Sequence, residues 1–195
     1  MALTPAIFLD KDGTVLQDIP YNVNPQRMIF APGAQEGLAM LARLSLPLFI
    51  ITNQPGIALG KFCFDEMHEM QQKLKQMFEE AGATLEGFYF CPHHPCGSLE
   101  QFAFECKCRK PEPGLLHEAA GQHHIDLSRS WFVGDILNDI EAGRRAGCQT
   151  ILIDNGNETE WILNDQRTPH YRVTDLAEAS RLLLAMCFHL DGVHQ

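Results

Sequence analysis

The sequence predicts an α/β fold: a Rossmann-like parallel sheet with helices on both faces. Three observations carry this reading. Apolar bursts of strand length alternate with amphipathic stretches of helical period. The bursts are apolar throughout, as strands are when both faces of a sheet are covered. Each burst also ends in polar residues, at the carboxyl ends where such sheets place their ligand site.

In chain order, "AIFLD" reads as a buried strand and "PGAQEGLAMLARL" as a helix, and "LPLFIIT" is a second buried strand. From Asp65 to Ala81, the residues Met67, Met70, Leu74, Met77, Phe78 and Ala81 share one helical face, with Asp65 as N-cap. This methionine stripe reads as core, the alternative being a binding groove. The strand "GFYFC" follows, then a cysteine-rich loop, a helix from Gly114 to His123 and the strand "SWFVGD". "NDIEAGRRAG" is a helix closed by Gly147, and "QTILID" a further strand. The last helix runs from Asp175 to Cys187 with Leu176, Ala179, Leu183 and Met186 at core spacing. Cys148 and Cys187 sit in apolar patterns and read as core; His68, His123 and His124 read as solvated. One domain is expected over residues 1–188, with the loop 91–108 inserted, a polar flexible excursion over 156–170 and a flexible tail at 189–195.

A chain of 195 residues with 45% apolar and 21% charged residues belongs to the ordinary globular class. Fifteen basic against 25 acidic residues give a net charge of −10, which argues against nucleic acid or an anionic membrane as partner. The longest apolar run, "LPLFII", is far short of a membrane span, and no signal peptide is evident, so a soluble cytoplasmic protein is expected. In that reducing compartment an odd seven cysteines suggest a metal site or buried thiols over disulfides. A monomer is the expectation, since the core consumes the apolar stripes.

The polar residues at the strand ends form a chemical set. The first strand delivers Asp10 and Asp12 with Gly13 and Thr14, the second Thr52 and Asn53. The loop after the third carries Arg109 and Lys110, and the fourth delivers Asp135 with Asp139 one helical turn on. Carboxylates brought this close call for a hard divalent cation, and Mg²⁺ combines a few carboxylates with phosphate oxygens. A hydroxyl and an ammonium can then hold a phosphoryl group and the charge of its transition state. Asp10 is placed as a nucleophile, and Asp12 as general acid and then base. Gly13 lets the backbone turn sharply just after them. Any one of these fragments alone could be a turn; their order along predicted strand ends makes the set.

The sequence is similar to the haloacid dehalogenase (HAD) superfamily of phosphohydrolases. "FLDKDGT" resembles its first motif, "IITN" its second, the lysine of "CRKP" its third and "VGDILND" its fourth, over residues 6–154. The resemblance implies a HAD-like fold with a minimal cap and Asp10 as nucleophile with Asp12 as acid/base. It also implies Thr52 and Lys110 as phosphoryl holders, and Mg²⁺ on Asp10, Asp135 and the backbone carbonyl of Asp12, with Asp139 in support.

The loop "CPHHPCGSLEQFAFECKCRKPEPG" pairs Cys91-x-His93 with Cys106-x-Cys108, four N/S donors that suit a closed tetrahedral Zn²⁺. His94 and Cys96 compete as ligands; His93 is preferred by the resemblance alone. Within the superfamily this loop resembles two small capless branches, one acting on the 7-phosphate of a heptose bisphosphate and one on histidinol phosphate. The loop length and "TNQPGIALGKF" are more similar to the heptose branch, although Ile136 stands where a polar or basic residue is common there. That likeness implies a small phosphorylated sugar as substrate, a place in lipopolysaccharide-precursor carbohydrate metabolism, and Arg109 meeting the distal anionic group. The alternatives are histidinol phosphate or another small phosphomonoester, or a silent phosphate- or metal-binding protein, whose signature would be loss of Asp10 or Asp12.

Overall fold

A computed structural model describes residues 3–191. Its six strands are all parallel: β1 (Ile7–Leu9), β2 (Leu48–Asn53), β3 (Leu85–Cys91), β4 (Trp131–Gly134), β5 (Gln149–Ile153) and β6 (Tyr171–Val173), in the order β3-β2-β1-β4-β5-β6. The five helices are α1 (Ala34–Leu41), α2 (Phe64–Glu80), α3 (Gly114–His123), α4 (Leu137–Ala146) and α5 (Leu176–Asp191). No helix among the described residues is long and apolar enough to cross a membrane.

The period of two along each strand sorts the core into two layers. Ile7 and Leu9 of β1, Leu48 and Ile50 of β2 and Val133 of β4 pack with α1, α2 and α5. Phe8, Phe49, Ile51 and Phe132 point the other way, onto Leu115, Leu116 and Ala119 of α3 and Ala142 and Ala146 of α4. Both faces are therefore covered, which is why these strands carry no polar alternation. The methionine stripe is core: Met67, Met70, Leu74, Met77 and Phe78 are all buried. Cys148 is buried as expected.

Some expectations differ from the structure. Helix α2 starts one residue before Asp65, and its N-cap is Cys63, whose backbone N–H donates to Glu66 Oε2 at 2.9 Å; Asp65 sits in the first turn, favouring the dipole instead of capping it. His123 is not simply solvated: its ring stacks edge-on against Phe49 at 4.8 Å and its Nε2 lies 3.0 Å from the Tyr89 hydroxyl. The edge strand β6 is too short and too exposed for its pattern to stand out. Helix α5 runs three residues into the predicted tail, to Asp191, and residues 192–195 of that tail lie outside the described residues.

Strand β1 has β2 on one side and β4 on the other, so successive crossovers leave it in opposite directions. The loops at its carboxyl end diverge and open a crevice, the place where such sheets bind ligands. Leu38 seals α1 beneath this arrangement and is fully buried. Leu38→Ala is expected to cost about 2–5 kcal/mol of stability in urea unfolding monitored by circular dichroism, with the slope of the transition unchanged.

Candidate active site and cysteine cluster

The crevice at the end of β1 is a cleft of about 330 Å³ lined by Asp10, Asp12, Thr52, Asn53, Lys110 and Asp135, with the loop Asp18–Asn22, Gln54, Pro55, Ile136 and Asn157 completing its wall. The backbone N–H of Asp10 donates to the Val133 carbonyl at 2.9 Å, so the residue after β1 is still held by β4. The chain then turns back on itself, with the N–H groups of Val15 and Leu16 both donating to the Lys11 carbonyl. Gly13 makes this possible in two ways. Its φ is +85°, and a Cβ there would stand 1.9 Å from Asp135 Oδ2, so any side chain would displace the carboxylate.

Lys110 is the centre of the charges. Its ammonium is paired with Asp10 Oδ1, lies 2.6 Å from Asp139 Oδ1 and donates to the Ile51 carbonyl at 3.0 Å. All three charged residues are buried, at 3% exposure for Lys110, 6% for Asp10 and 0% for Asp139. The backbone of Lys110 is clamped by Asn53, which donates from Nδ2 to the Lys110 carbonyl at 3.1 Å and accepts the Lys110 N–H on Oδ1 at 3.0 Å. Asn53 therefore lines the cleft while its amide also clamps the backbone of Lys110.

One ammonium does not neutralise this site. Oxygens of Asp10, Asp135 and Asp139 all lie within 4.8 Å of one another, and Asp139 Oδ2 also accepts the Ile136 N–H at 3.3 Å. Burial raises the pKa of Asp10 well above the usual carboxylate range against the pull of Lys110, and Asp139, Asp135 and Asp12 raise it further. Burial, then the charge of Asp139, pushes Asp135 up to about 7. For Lys110 burial alone would lower the pKa, but Asp10 and Asp139 together hold it above its ordinary value. A hard divalent cation is what such an excess of buried carboxylate accommodates, and the donor set fits one. Asp139, spent on Lys110 and the α4 backbone, supports the site from behind.

Asp12, on the cleft wall, is held by both carboxylate oxygens. Oδ1 pairs with Lys11 Nζ at 2.8 Å and Oδ2 accepts from Gln54 Nε2 at 3.0 Å. Gln54 Nε2 also donates to Thr52 Oγ1 at 3.1 Å. The segment after β5, expected to be a flexible excursion, is irregular but tethered to the site. Asn155 Nδ2 donates to the Gly13 carbonyl at 2.8 Å, Asn157 Nδ2 to Asp135 Oδ2 at 2.7 Å, and the Leu137 N–H to Glu158 Oε2 at 2.5 Å.

At the end of β3 the four cysteine-loop residues converge. The sulfurs of Cys91, Cys106 and Cys108 are 3.2, 3.3 and 3.4 Å apart, and His93 Nδ1 lies 3.2 Å from Cys108 and 3.5 Å from Cys91. Disulfide sulfurs would stand at about 2.05 Å, whereas the edge of a tetrahedron of zinc–sulfur bonds of about 2.3 Å is about 3.8 Å. The donor set is thus a compact tetrahedral cage that could hold a metal ion. A hydrogen bond between the Cys91 and Cys108 sulfurs is the main cause that lowers Cys108 to about 5 and raises Cys91. His94 turns away, its Nδ1 accepting the Cys96 N–H at 3.1 Å, and Cys96 is exposed, so the structure brings together His93 and not these competitors. Arg109 follows the cage, but its guanidinium donates to the His93 carbonyl at 3.4 Å and does not line the cleft.

Sequence reasoning missed Lys11, Gln54, Asn155, Asn157 and, of the cleft wall, Asp18 and Ile19; Pro20–Asn22 belong to the stretch "PYNVNPQRM", which the sequence already placed near the substrate mouth. A lysine between two aspartates and a glutamine right after the Thr-Asn pair were visible signals for the first two. The asparagines come from a distant loop and carried none.

A family model described as HAD-hydrolase-like matches residues 107–179. The D-glycero-β-D-manno-heptose-1,7-bisphosphate 7-phosphatase of Escherichia coli K12 is 37% identical over 169 residues, covering 82% of this chain and 88% of that protein. The enzyme of the same name from Vibrio cholerae is 38% identical over 153 residues, 78% of this chain and 82% of the relative. Among solved structures, a HAD-like phosphatase from Mesorhizobium loti shares 32% identity at a TM-score of 0.82, covering 95% of this chain and 87% of that one. The D,D-heptose 1,7-bisphosphate phosphatase of B. bronchiseptica, complexed with magnesium and phosphate, shares 29% identity at a TM-score of 0.77, covering 94% and 99%.

The raised carboxylates make stability depend on pH in a defined sense. Asp10 and Asp135 favour protonation in the fold more than in the unfolded chain, so their contribution is full below the unfolded carboxylate value. It is lost as pH rises through the folded value, about 7 for Asp135. In protein prepared without divalent cation, Tm is expected to fall from pH 5 to pH 8. Added Mg²⁺ should restore it at pH 8, and Asp135→Asn should remove the part of the slope that Asp135 carries; a Tm indifferent to both pH and Mg²⁺ would contradict this electrostatic picture.

Proposed function

The chain belongs to the HAD-like phosphatase family, and from that premise we propose that it removes the 7-phosphate of D-glycero-D-manno-heptose 1,7-bisphosphate through an aspartyl-phosphate intermediate. It is a phosphatase; the observation that carries the proposed route is the buried grouping of Asp10, Asp135 and Asp139 around the single ammonium of Lys110 at the end of β1.

In this reading a carboxylate oxygen of Asp10 attacks phosphorus as the phosphorus–oxygen bond to the sugar breaks, and Asp12 gives its proton to the departing alkoxide. A water then attacks the aspartyl phosphate and gives its proton to Asp12, releasing phosphate and restoring Asp10. Thr52 and Lys110 hold phosphoryl oxygens through the hydroxyl and the ammonium. Asp10, Asp135 and the Asp12 carbonyl would hold Mg²⁺, which supplies charge neutralisation for the phosphoryl oxygens. Asn53 holds Lys110 in place by its backbone. Arg109, one guanidinium nitrogen of which lies 3.4 Å from the His93 carbonyl, would meet the substrate's distal anionic group with its remaining donors.

The cage of Cys91, His93, Cys106 and Cys108 takes Zn²⁺ as a closed structural ion. With three thiolates and an imidazole as ligands, a bound ion would have no open position, and its part would be to fix the loop that ends in Lys110 and not to do chemistry.

Phosphate release from heptose bisphosphate, histidinol phosphate and a nucleotide panel with Mg²⁺ tests the reaction. Heptose bisphosphate should be preferred, and Asp10→Asn should abolish release. No release from any of them by folded protein would overturn the proposed reaction, and comparable rates on all would overturn the heptose assignment. Metal analysis of protein purified without added metal should find about one zinc per chain, and Cys106→Ser should lower both that content and Tm.

A further inference from the structure

Gln54 is 4% exposed and donates from one amide nitrogen to two oxygens belonging to different functional groups, Asp12 Oδ2 and Thr52 Oγ1. Nε2, and not the amide oxygen, is the atom within hydrogen-bond distance of both Asp12 Oδ2 and Thr52 Oγ1, and this sets the orientation of the whole group. Both hydrogens of that nitrogen are then used. The Thr52 hydroxyl, accepting from Gln54, keeps its own hydrogen to donate elsewhere, and Thr52 lines the cleft. The backbone of Gln54 is anchored in turn, its N–H donating at 2.8 Å to the carbonyl of Cys91, the last residue of β3 and a member of the sulfur cage.

The opposite oxygen of Asp12 is held by Lys11, whose ammonium is buried at 1% exposure and lies 2.8 Å away. The Asp12 carboxylate is therefore gripped from two sides by two different elements, the turn after β1 and the end of β2. A side chain so held has lost the rotations that would take its oxygens away from a leaving group in the cleft.

We infer that Gln54 is a positioning residue that aims the Asp12 carboxylate and the Thr52 hydroxyl hydrogen at the two ends of the phosphoryl group, with Lys11 as the second hold on Asp12. The inference rests on the reading of Asp12 as general acid. It goes beyond that reading in assigning to one buried amide the coupling of proton delivery to phosphoryl binding. Gln54 touches neither substrate nor reacting atoms; it acts through Asp12 and Thr52.

The test exploits the leaving group. A sugar alkoxide needs a proton to depart, whereas p-nitrophenolate departs almost unaided, so a misaimed acid harms the first far more than the second. Rates on a sugar phosphate and on p-nitrophenyl phosphate are compared for wild type, Asp12→Asn, Gln54→Leu, the isosteric Gln54→Glu, Lys11→Met and Lys11→Arg, each checked for folding by circular dichroism. kcat/KM covers only the transfer to Asp10, before Asp12 acts as base, so Gln54→Leu and Gln54→Glu should lower kcat/KM on the sugar phosphate by about 10- to 100-fold. On the aryl phosphate the loss should be clearly smaller, reflecting only the lost aim of Thr52. Lys11→Met should follow the same split, and Lys11→Arg should recover most of the loss. Equal losses on both substrates in the Gln54 variants, with the split present in Asp12→Asn, would overturn the positioning role while leaving the acid in place. Absence of the split in Asp12→Asn itself would overturn the acid reading and this inference with it.

Discussion

The ammonium of Lys110, shared between Asp10 and Asp139, is the interaction on which the arrangement of the site depends. It joins the turn after β1, the first turn of α4 and the loop that follows the sulfur cage, and its third bond reaches the β2 carbonyl of Ile51. Removing one partner of such a buried group leaves an uncompensated charge, which costs far more than the pair contributes. The fold accepts that risk at the end of β1, where the carboxylates of Asp10, Asp135 and Asp139 converge. Even so the carboxylates outnumber the ammonium, and burial and their mutual repulsion raise the pKa of both Asp10 and Asp135.

A charge so exacting needs its carrier held in register, and two devices do this from opposite sides. Asn53 grips the Lys110 backbone from the end of β2. The cage of Cys91, His93, Cys106 and Cys108 closes the loop just before it, tying that loop to the end of β3. Behind them Glu112 pairs with Arg145, Arg145 with Glu141 and Glu141 with Arg167, so the Lys110 loop, α4 and the segment after β5 are linked in one chain of ion pairs. The rim of the cleft is thus supported by polar contacts where the apolar layers of the sheet end.

How far the molecule was legible varies by residue. The strands β1, β2 and β4 and all five helices follow from apolar runs and helical period, because burial on two faces or one leaves that pattern in composition. Asp10, Asp12, Thr52 and Asp135 were legible as polar residues placed where buried strands stop, and Lys110 as a cation on the loop after the third strand. The N-cap of α2 was misread because Asp65 is the better capping residue by type, yet the Glu66 carboxylate reaches back to the Cys63 N–H. The short strand β6 was not seen because an exposed edge needs no apolar run.

What the sequence by itself determined is the kind of chemistry at each strand end and the two-layered sheet that gathers those ends. Residue type and local period are sufficient for that. Only the tertiary structure decided partners: that Gln54 serves Asp12 and Thr52, that Asn157 comes from a distant loop to Asp135, and that His93 and not His94 turns into the cage. It also turned Arg109 onto the His93 carbonyl and gave the Asn53 amide to Lys110. The reason is physical. Hydrogen bonds and ion pairs act over about 3 Å between groups whose separation along the chain is arbitrary, so their pairing appears only when the chain is packed.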